Sequence, residues 1–549
     1  MFSRNPARNG DPVTPTRIRG GLVIDGTGAP ARRADVDIHG GRITAIEAPA
    51  DRGDANRGAT AGAGERVIDA TGLVVCPGFV DMHAHADLAL IREPDRLSAV
   101  SQGVTTEVIG QDGLSYAPIT PAAATDLHGR IRGWNGDLPD GGITWTSVPE
   151  FLERVSGAAV NVAYLAPHGT LRLLVMGTEQ RPATPTELDR MAGLLADALA
   201  GGAVGMSTGL TYVPALFADD GELTRLCEVV AAHGGYYAPH HRSYGAGAIE
   251  AYAECLDLGR RTGVAVHLTH AHLSYALNRG RAPELLALVD AALADGVDVT
   301  LDSYPYIVGS SYLHSALPSF LQQRSVDEIV ELLARPDVRD DLVERLERRG
   351  TTGSHGVPVD WSRVVIGSAT DASLPGLSIA ELAQRRGVRA IDAYCDVLIS
   401  ERLGAMCLVH EGDEVNLRTI LSHPRQCAGS DGLLAGQRPH PRAFGTFARY
   451  LGEYSRDLGL VPLELMIHKM TALPAGRIGL ADRGVLAVGA AADVVCFDPA
   501  TVADRATFDQ PRRTAVGIQH VLVNGEPVLT DTQPTGARPG RAVTNREAA

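Results

Sequence analysis

Eight short apolar, β-rich runs recur along the middle of this chain. They are GFVDMHAHAD (78–87), GVTTEVIG (103–110), VNVAYLAPHG (160–169), GAVGMSTGL (202–210), GYYAPHHR (235–242), VAVHLTHAH (264–272), DVTLDSYPY (298–306) and CAGSDG (427–432). Between them lie segments such as ELDRMAGLLADALAGG and APELLALVDAALADG, with apolar residues at helical spacing and a glycine stop. Near-continuous apolar strands alternating with amphipathic helices predict a parallel sheet covered by helices. Eight such units predict an α/β chain folded as a (β/α)8 TIM-like barrel, whose chemistry gathers at the C-terminal ends of its strands. The polar groups HAHAD, PHG, HHR, HAH, YPY and SDG close their runs at those ends.

The two ends of the chain resemble each other instead. Short alternating strands split by glycine turns occupy residues 16–75 and return at 481–534. Two distant segments of one style predict a small β-sandwich domain built from both termini, clasping a barrel over residues 76–480. The gap after the seventh run is too long for one helix, so an insertion with its own helices is expected at about 307–425. Residues 1–15 and 535–549 are polar and rich in Pro and Gly, and read as disordered tails.

Charge narrows the partners. The formal net charge is −15, so phosphate polyanions and anionic membrane surfaces are repelled, and neither nucleic acid nor membrane is an expected partner. No run of apolar residues is long enough to span a bilayer. The start, MFSRNPARNGDPVTPTR, has no apolar core of a secretion signal, and the seven scattered cysteines contain no CxxC pair. Both features point to a reduced, cytoplasmic setting. Oligomeric state is not legible.

The strongest chemical signal is His83-Ala84-His85. Residues two apart on a strand face the same way, so both imidazoles should enter the barrel mouth, with Asp81 and Asp87 beside them if the strand stays extended. Further strand ends carry His240, His270 and Asp431. Neutral imidazole and carboxylate are good ligands for zinc and related ions. His39, His128, His233, His355, His423 and His520 lack such a setting and read as ordinary packing or surface residues.

Together CPGFVDMHAHAD behind a β domain, the HHR and LTHAH strand ends, GSDG and PHPRAFGTFARYL resemble the amidohydrolase superfamily. GMSTGLTY and HPRAFGTFARYL narrow the resemblance to the N-acyl-D-amino-acid deacylases, or D-aminoacylases, over about residues 16–530. The resemblance implies a barrel plus β-sandwich and a site for one or two zinc ions. His83, His85 and Asp431 would serve one metal position, and His240 and His270 a second. Many relatives complete the second with the cysteine of an NCG triplet. Here Gln111-Asp112-Gly113 stands in that place, making Asp112 the substitute ligand and Glu107 its rival. Lys469, the one lysine of the chain, lies in a helical pattern well past Asp431, so a bridging carboxylated lysine is not expected.

The same resemblance implies a small-molecule N-acyl amino acid as substrate, with Asp431 as general base and acid for amide hydrolysis. Arg442 and Tyr304 would hold the substrate carboxylate, with Ser310 nearby. His272 stands where relatives carry a lysine for that carboxylate. From its place at the close of the third run, His168 would hold substrate or the oxyanion, or equally make a structural hydrogen bond. Met206, Leu210, Tyr212 and the insertion are candidates for the side-chain pocket. The competing readings are a cyclic-amide hydrolase or deaminase of the same superfamily, and a non-catalytic barrel.

Overall fold

The computed structural model describes residues 14–49 and 65–544. Eight parallel strands form one sheet: Phe79–Asp81, Val104–Ile109, Asn161–Pro167, Gly205–Gly209, Tyr236–His240, Ala265–Leu268, Val299–Ser303 and Gln426–Ala428. They are paired in chain order, and their residues are buried almost throughout, as continuous apolar runs require. The first and eighth strands meet through Met82 N–H to Ala428 O (3.2 Å) and Asp431 N–H to His83 O (2.8 Å), which closes the barrel. Helices fill the connections. Pro185–Ala200 starts on a reciprocal cap between Thr184 and Glu187, and Ala282–Ala294 has Pro283 in its first turn.

The terminal strands make a second sheet of nine strands. Val74–Pro77 is its seam. It pairs with Thr16–Val23 on one side and with Val494–Phe497 from the far end of the chain on the other. Arg32–His39 shows the alternation that put it there, with Ala34, Val36 and Ile38 inward. These join Ile18, Val75, Val494 and Leu522 in a core separate from that of the barrel.

The insertion follows the seventh barrel strand. It holds an antiparallel three-stranded sheet, in the order Gly309–Tyr312, Met406–Val409, Val364–Ser368, with helices including Val326–Leu333 and Ala390–Ser400. Its own core includes Leu313, Trp361, Tyr394 and Leu398. The insertion ends earlier than residue 425. Helix Glu414–Leu421 packs on Ala282–Ala294 and on the seventh strand, so it belongs to the barrel's helical ring.

The expectation of a disordered tail at 535–549 is corrected for its first ten residues; 545–549, like 1–13 of the expected N-terminal tail, lie outside the described residues. Residues 535–544 run along the barrel and dock there. Val162 N–H donates to Arg541 O (2.9 Å), Val543 N–H to Val162 O (2.8 Å) and Gly157 N–H to Gly540 O (2.9 Å). Polar composition misled because the partners are backbone groups, which composition does not report. A Cβ on Gly540 would lie 2.0 Å from Val160 O. Gly540→Val is therefore expected to lift this segment and to cost about 1–3 kcal/mol. Hydrogen exchange at the Val162 amide should accelerate with the fall in thermal midpoint; unchanged protection there would contradict the docking.

Candidate active site

Six side chains from five strand ends converge at the barrel mouth. His83 and His85 follow the first strand, Asp112 the second, His240 ends the fifth, His270 follows the sixth and Asp431 the eighth. They form two donor groups, His83–His85–Asp112–Asp431 and Asp112–His240–His270, each with its donor atoms within 4.8 Å of one another. Asp112 is common to both. One of its oxygens lies 3.6 Å from His83 Nε2 and 3.3 Å from His270 Nε2; the other is 3.5 Å from both His85 Nε2 and His240 Nδ1. Asp431 Oδ1 lies 3.2 Å from His85 Nε2 and 3.8 Å from His83 Nε2.

Backbone geometry delivers these groups at a cost. Asp112, His270 and Asp431 have φ of 55°, 30° and 48°, in or near the left-handed region that non-glycine residues rarely adopt. Asp112 sits in a single turn, Gln111–Gly113, between two glycines of positive φ. Gln111 ties the turn to Met82 O (2.7 Å), and Ser207 Oγ accepts from Gly113 N–H (3.0 Å). Gly113 admits no side chain, because a Cβ there would stand 2.6 Å from Gly209 N.

Surrounding groups orient the imidazoles. Thr211 Oγ1 meets His240 Nε2 at 2.7 Å, and Tyr244 OH meets His270 Nδ1 at 2.9 Å. Asp302, at the end of the seventh strand, accepts the His270 backbone N–H (2.8 Å) and pairs with His267 Nε2 (2.9 Å). It also lies 3.6 Å from His83 Nδ1. The DSYPY strand end could have flagged Asp302. Its role depends on strands one and six, which no local pattern reports.

The donor set fits a cation. Both ring nitrogens of His83 are buried without a hydrogen-bond partner, a state polar atoms rarely keep unless something else ligates them. Burial alone would lower the His85 imidazole, yet Asp112 and Asp431 push it up to about 10. Burial raises the Asp112 carboxyl, but the imidazoles of His270, His240 and His83 outweigh it and hold it well below the usual carboxylate range. Two ionised carboxylates buried among imidazoles call for positive charge between them.

Several expectations need correction. Asp81 and Asp87 do not face the cluster. Asp81 accepts the N–H groups of His83 (3.1 Å) and Ser430 (2.8 Å), and Asp87 is held by Ser115, because the chain leaves extended geometry after Asp81. Glu107 is engaged elsewhere, in a buried two-bond pair with Arg96 (2.9 and 2.7 Å). Lys469 needs no correction: it donates to Leu421 O and His423 O, at the entry of the eighth strand and away from the donor groups.

His168 does not line the cavity. It opens helix His168–Met176 and turns inward to Glu222 (2.7 Å), which also pairs with the buried Arg172. Arg442 lies beside the mouth, as expected, but off the cavity wall, and its guanidinium nitrogens are buried without a hydrogen-bond partner. It is 0% exposed, with Nη2 3.0 Å from Asp431 Oδ2 and its guanidinium 4.3 Å from the Tyr304 ring centre. It stands behind Tyr304 as the counter-ion of Asp431 rather than on the cavity wall.

The cavity over the donor cluster is lined by Tyr304, His272 and Ser310, and by Trp134, Tyr212 and His355. Met206 and Leu210 are buried in the core instead. His272 stacks on Tyr304 at 4.2 Å and meets Ser303 Oγ at 3.1 Å; burial, with His270 and Arg442 nearby, takes its imidazole down to about 3, so it is neutral at ordinary pH. His355, read as ordinary from sequence, reaches the wall because the insertion carries it to Tyr244.

A family model described as the amidohydrolase family matches residues 66–529. The chain belongs to the amidohydrolase family. This amidohydrolase is 39% identical to an N-acyl-D-glutamate deacylase of Alcaligenes xylosoxydans xylosoxydans, over 95% of each chain. It is 38% identical to a D-aminoacylase of the same organism, over 96% of each. The structure of N-acyl-D-glutamate deacylase from Bordetella bronchiseptica, complexed with zinc and a phosphonate mimic of the tetrahedral intermediate, superposes with a TM-score of 0.80 at 36% identity, over 96% of this chain and 99% of that one.

The position of His168 gives a stability prediction. Burial raises the Glu222 carboxyl, but His168 and Arg172 hold it below its ordinary value of 4.5. A depressed carboxyl contributes stability that is present above its unfolded value and lost as pH falls through its folded value. Glu222→Gln, which leaves Arg172 buried and unpaired, should cost roughly 3–5 kcal/mol near neutral pH. In urea unfolding, the gap from the parent protein should shrink below about pH 4.5; a gap independent of pH would refute this assignment.

Proposed function

We propose that this amidohydrolase removes the acyl group from N-acyl-D-amino acids, yielding a carboxylate and a free D-amino acid, with zinc in one or both donor groups around Asp112. The carrying observation is the convergence of His83, His85, His240, His270 and Asp431 on that shared carboxylate. The names of the relatives support the reaction class and are the source of the D preference. Seven buried, unpaired cysteines support work in a reducing compartment, the cytoplasm. Among the described residues no helix is long and apolar enough to cross a membrane.

Zinc, when bound, supplies a water of lowered pKa and a Lewis acid for the amide carbonyl. The chain's own residues handle the proton. Burial pushes Asp431 up, but Arg442 and His85 overcome it and keep the carboxyl well below its usual range, so it stands ionised. Asp431 takes the proton of the attacking water and passes it to the departing nitrogen as the C–N bond breaks. Tyr304 offers its hydroxyl to the substrate carboxylate, with Ser310, which donates to Cys407 O (3.2 Å), beside it, and Arg442 adds positive charge from behind the Tyr304 ring.

The test pairs N-acetyl-D- with N-acetyl-L-amino acids, with zinc content measured on the same sample. Turnover confined to the D series, with zinc bound, is expected; release of ammonia, or no turnover of either series, would refute the reading. Asp431→Asn should lower kcat by about 10²–10⁴ while the His240–His270 group keeps its zinc. Asp112→Ala should reduce zinc per chain, and unchanged content on elemental analysis would place the bridge on another residue.

A further inference from the structure

A second chamber adjoins the active-site cavity. The cavity, of about 150 Å³, and the chamber, of about 60 Å³, share Tyr275, Ser315, Gly353, Val409 and Glu411 as a common wall. Beyond that wall the chamber is lined by Leu313, Val359, Trp361, Val364, Tyr394 and Cys407, so it is set into the insertion's own core. The polar tips on this lining are already satisfied elsewhere. Trp361 Nε1 donates to Glu347 (2.8 Å) and Tyr394 OH to Leu313 O (3.2 Å). What they leave to the chamber is ring surface, which favours an apolar occupant.

Charge points the same way. Among the described residues neither lining includes Lys or Arg; Glu411 in the shared wall and Asp360 beside it are both paired with Arg363 (3.4 Å each). A tail ending in a carboxylate would be desolvated there with no free cation in either lining to meet it. The boundary is also a place of backbone strain. Tyr275 has φ 69° and ψ 153° and donates its N–H to Glu411 O (2.6 Å). Such conformations persist where the surroundings over-determine them, and they cluster at ligand sites.

We propose that this chamber is a subsite for an apolar tail of the substrate, entered from the metal centre across the Tyr275–Glu411 wall. The proposal rests on the deacylase reading given above. The acyl chain and the amino-acid side chain both offer such a tail, and two substrate series distinguish them. One lengthens the acyl group of N-acyl-D-alanine from acetyl to octanoyl; the other lengthens the side chain of N-acetyl-D-amino acids from alanine to norleucine, with N-acetyl-D-glutamate included.

With the full-length, zinc-loaded enzyme, kcat/KM in one series should rise about fourfold per methylene until the chamber is full. N-acetyl-D-glutamate should fall below N-acetyl-D-norleucine. Val359→Trp, which fills the chamber, should collapse the ratio of longest to shortest tail, measured within the same protein. Val359→Ile should keep most of it. Flat or falling series, in an enzyme that does hydrolyse N-acetyl-D-alanine, would overturn the chamber while leaving the deacylase reading intact. Absence of turnover on every N-acyl-D-amino acid would overturn that reading and the chamber with it.

Discussion

Two carboxylates, Asp112 and Asp431, are held among four imidazoles at 3–6% exposure. Buried charge of this kind is unfavourable unless it is paired, so the cluster requires a cation or protons to be stable. The rest of the barrel mouth follows from that requirement. Thr211, Tyr244 and Asp302 fix the imidazoles from behind, and three of the six donor residues accept left-handed or nearly left-handed backbone to aim their side chains. Strain that would be lost from an ordinary turn is kept here because the surrounding strands leave no alternative path.

Closure of the barrel and assembly of the site are one event. The hydrogen bond that joins the eighth strand to the first runs from Asp431 N–H to His83 O, between two of the donor residues. A barrel that failed to close there would take Asp431 away from His83 and His85. Two further devices hold the ring. The terminal sheet ties the strand just before the HAH segment to the far end of the chain through Val74–Pro77 and Val494–Phe497. The segment 535–544 lies along the third strand through Val162.

On the substrate side the positive charge is set back from the cavity. Arg442 touches Asp431 and the Tyr304 ring, and His272 stays neutral, so the guanidinium's field reaches the cavity only past that ring. Arg442 thus serves two charges, keeping Asp431 ionised and favouring an anion beyond Tyr304. The insertion supplies the opposite wall. Its sheet brings Ser310, Val409 and Glu411 over the donor cluster, and its loop brings Gly353 and His355.

The ring of strands and most of the donor set are legible in the pattern of residues along the chain. Continuous apolar runs closing on polar residues report a buried parallel strand directly, and HAH, HHR, LTH and GSDG each sit where such a run ends. Local pattern could not decide which of Glu107 and Asp112 reaches the cluster. That choice rests on Arg96 capturing one and on a glycine-flanked turn, packed against Gly209, presenting the other. Likewise His168 closes the third run and Arg442 opens a helix beyond the eighth strand, yet their contacts with Glu222 and Asp431, 54 and 11 residues away, are made only by the fold. His355 and the docked C-terminal segment were illegible for the same reason. Their partners are brought near only by the tertiary fold, and a side chain's role is fixed by its neighbours in space rather than by its neighbours in the chain.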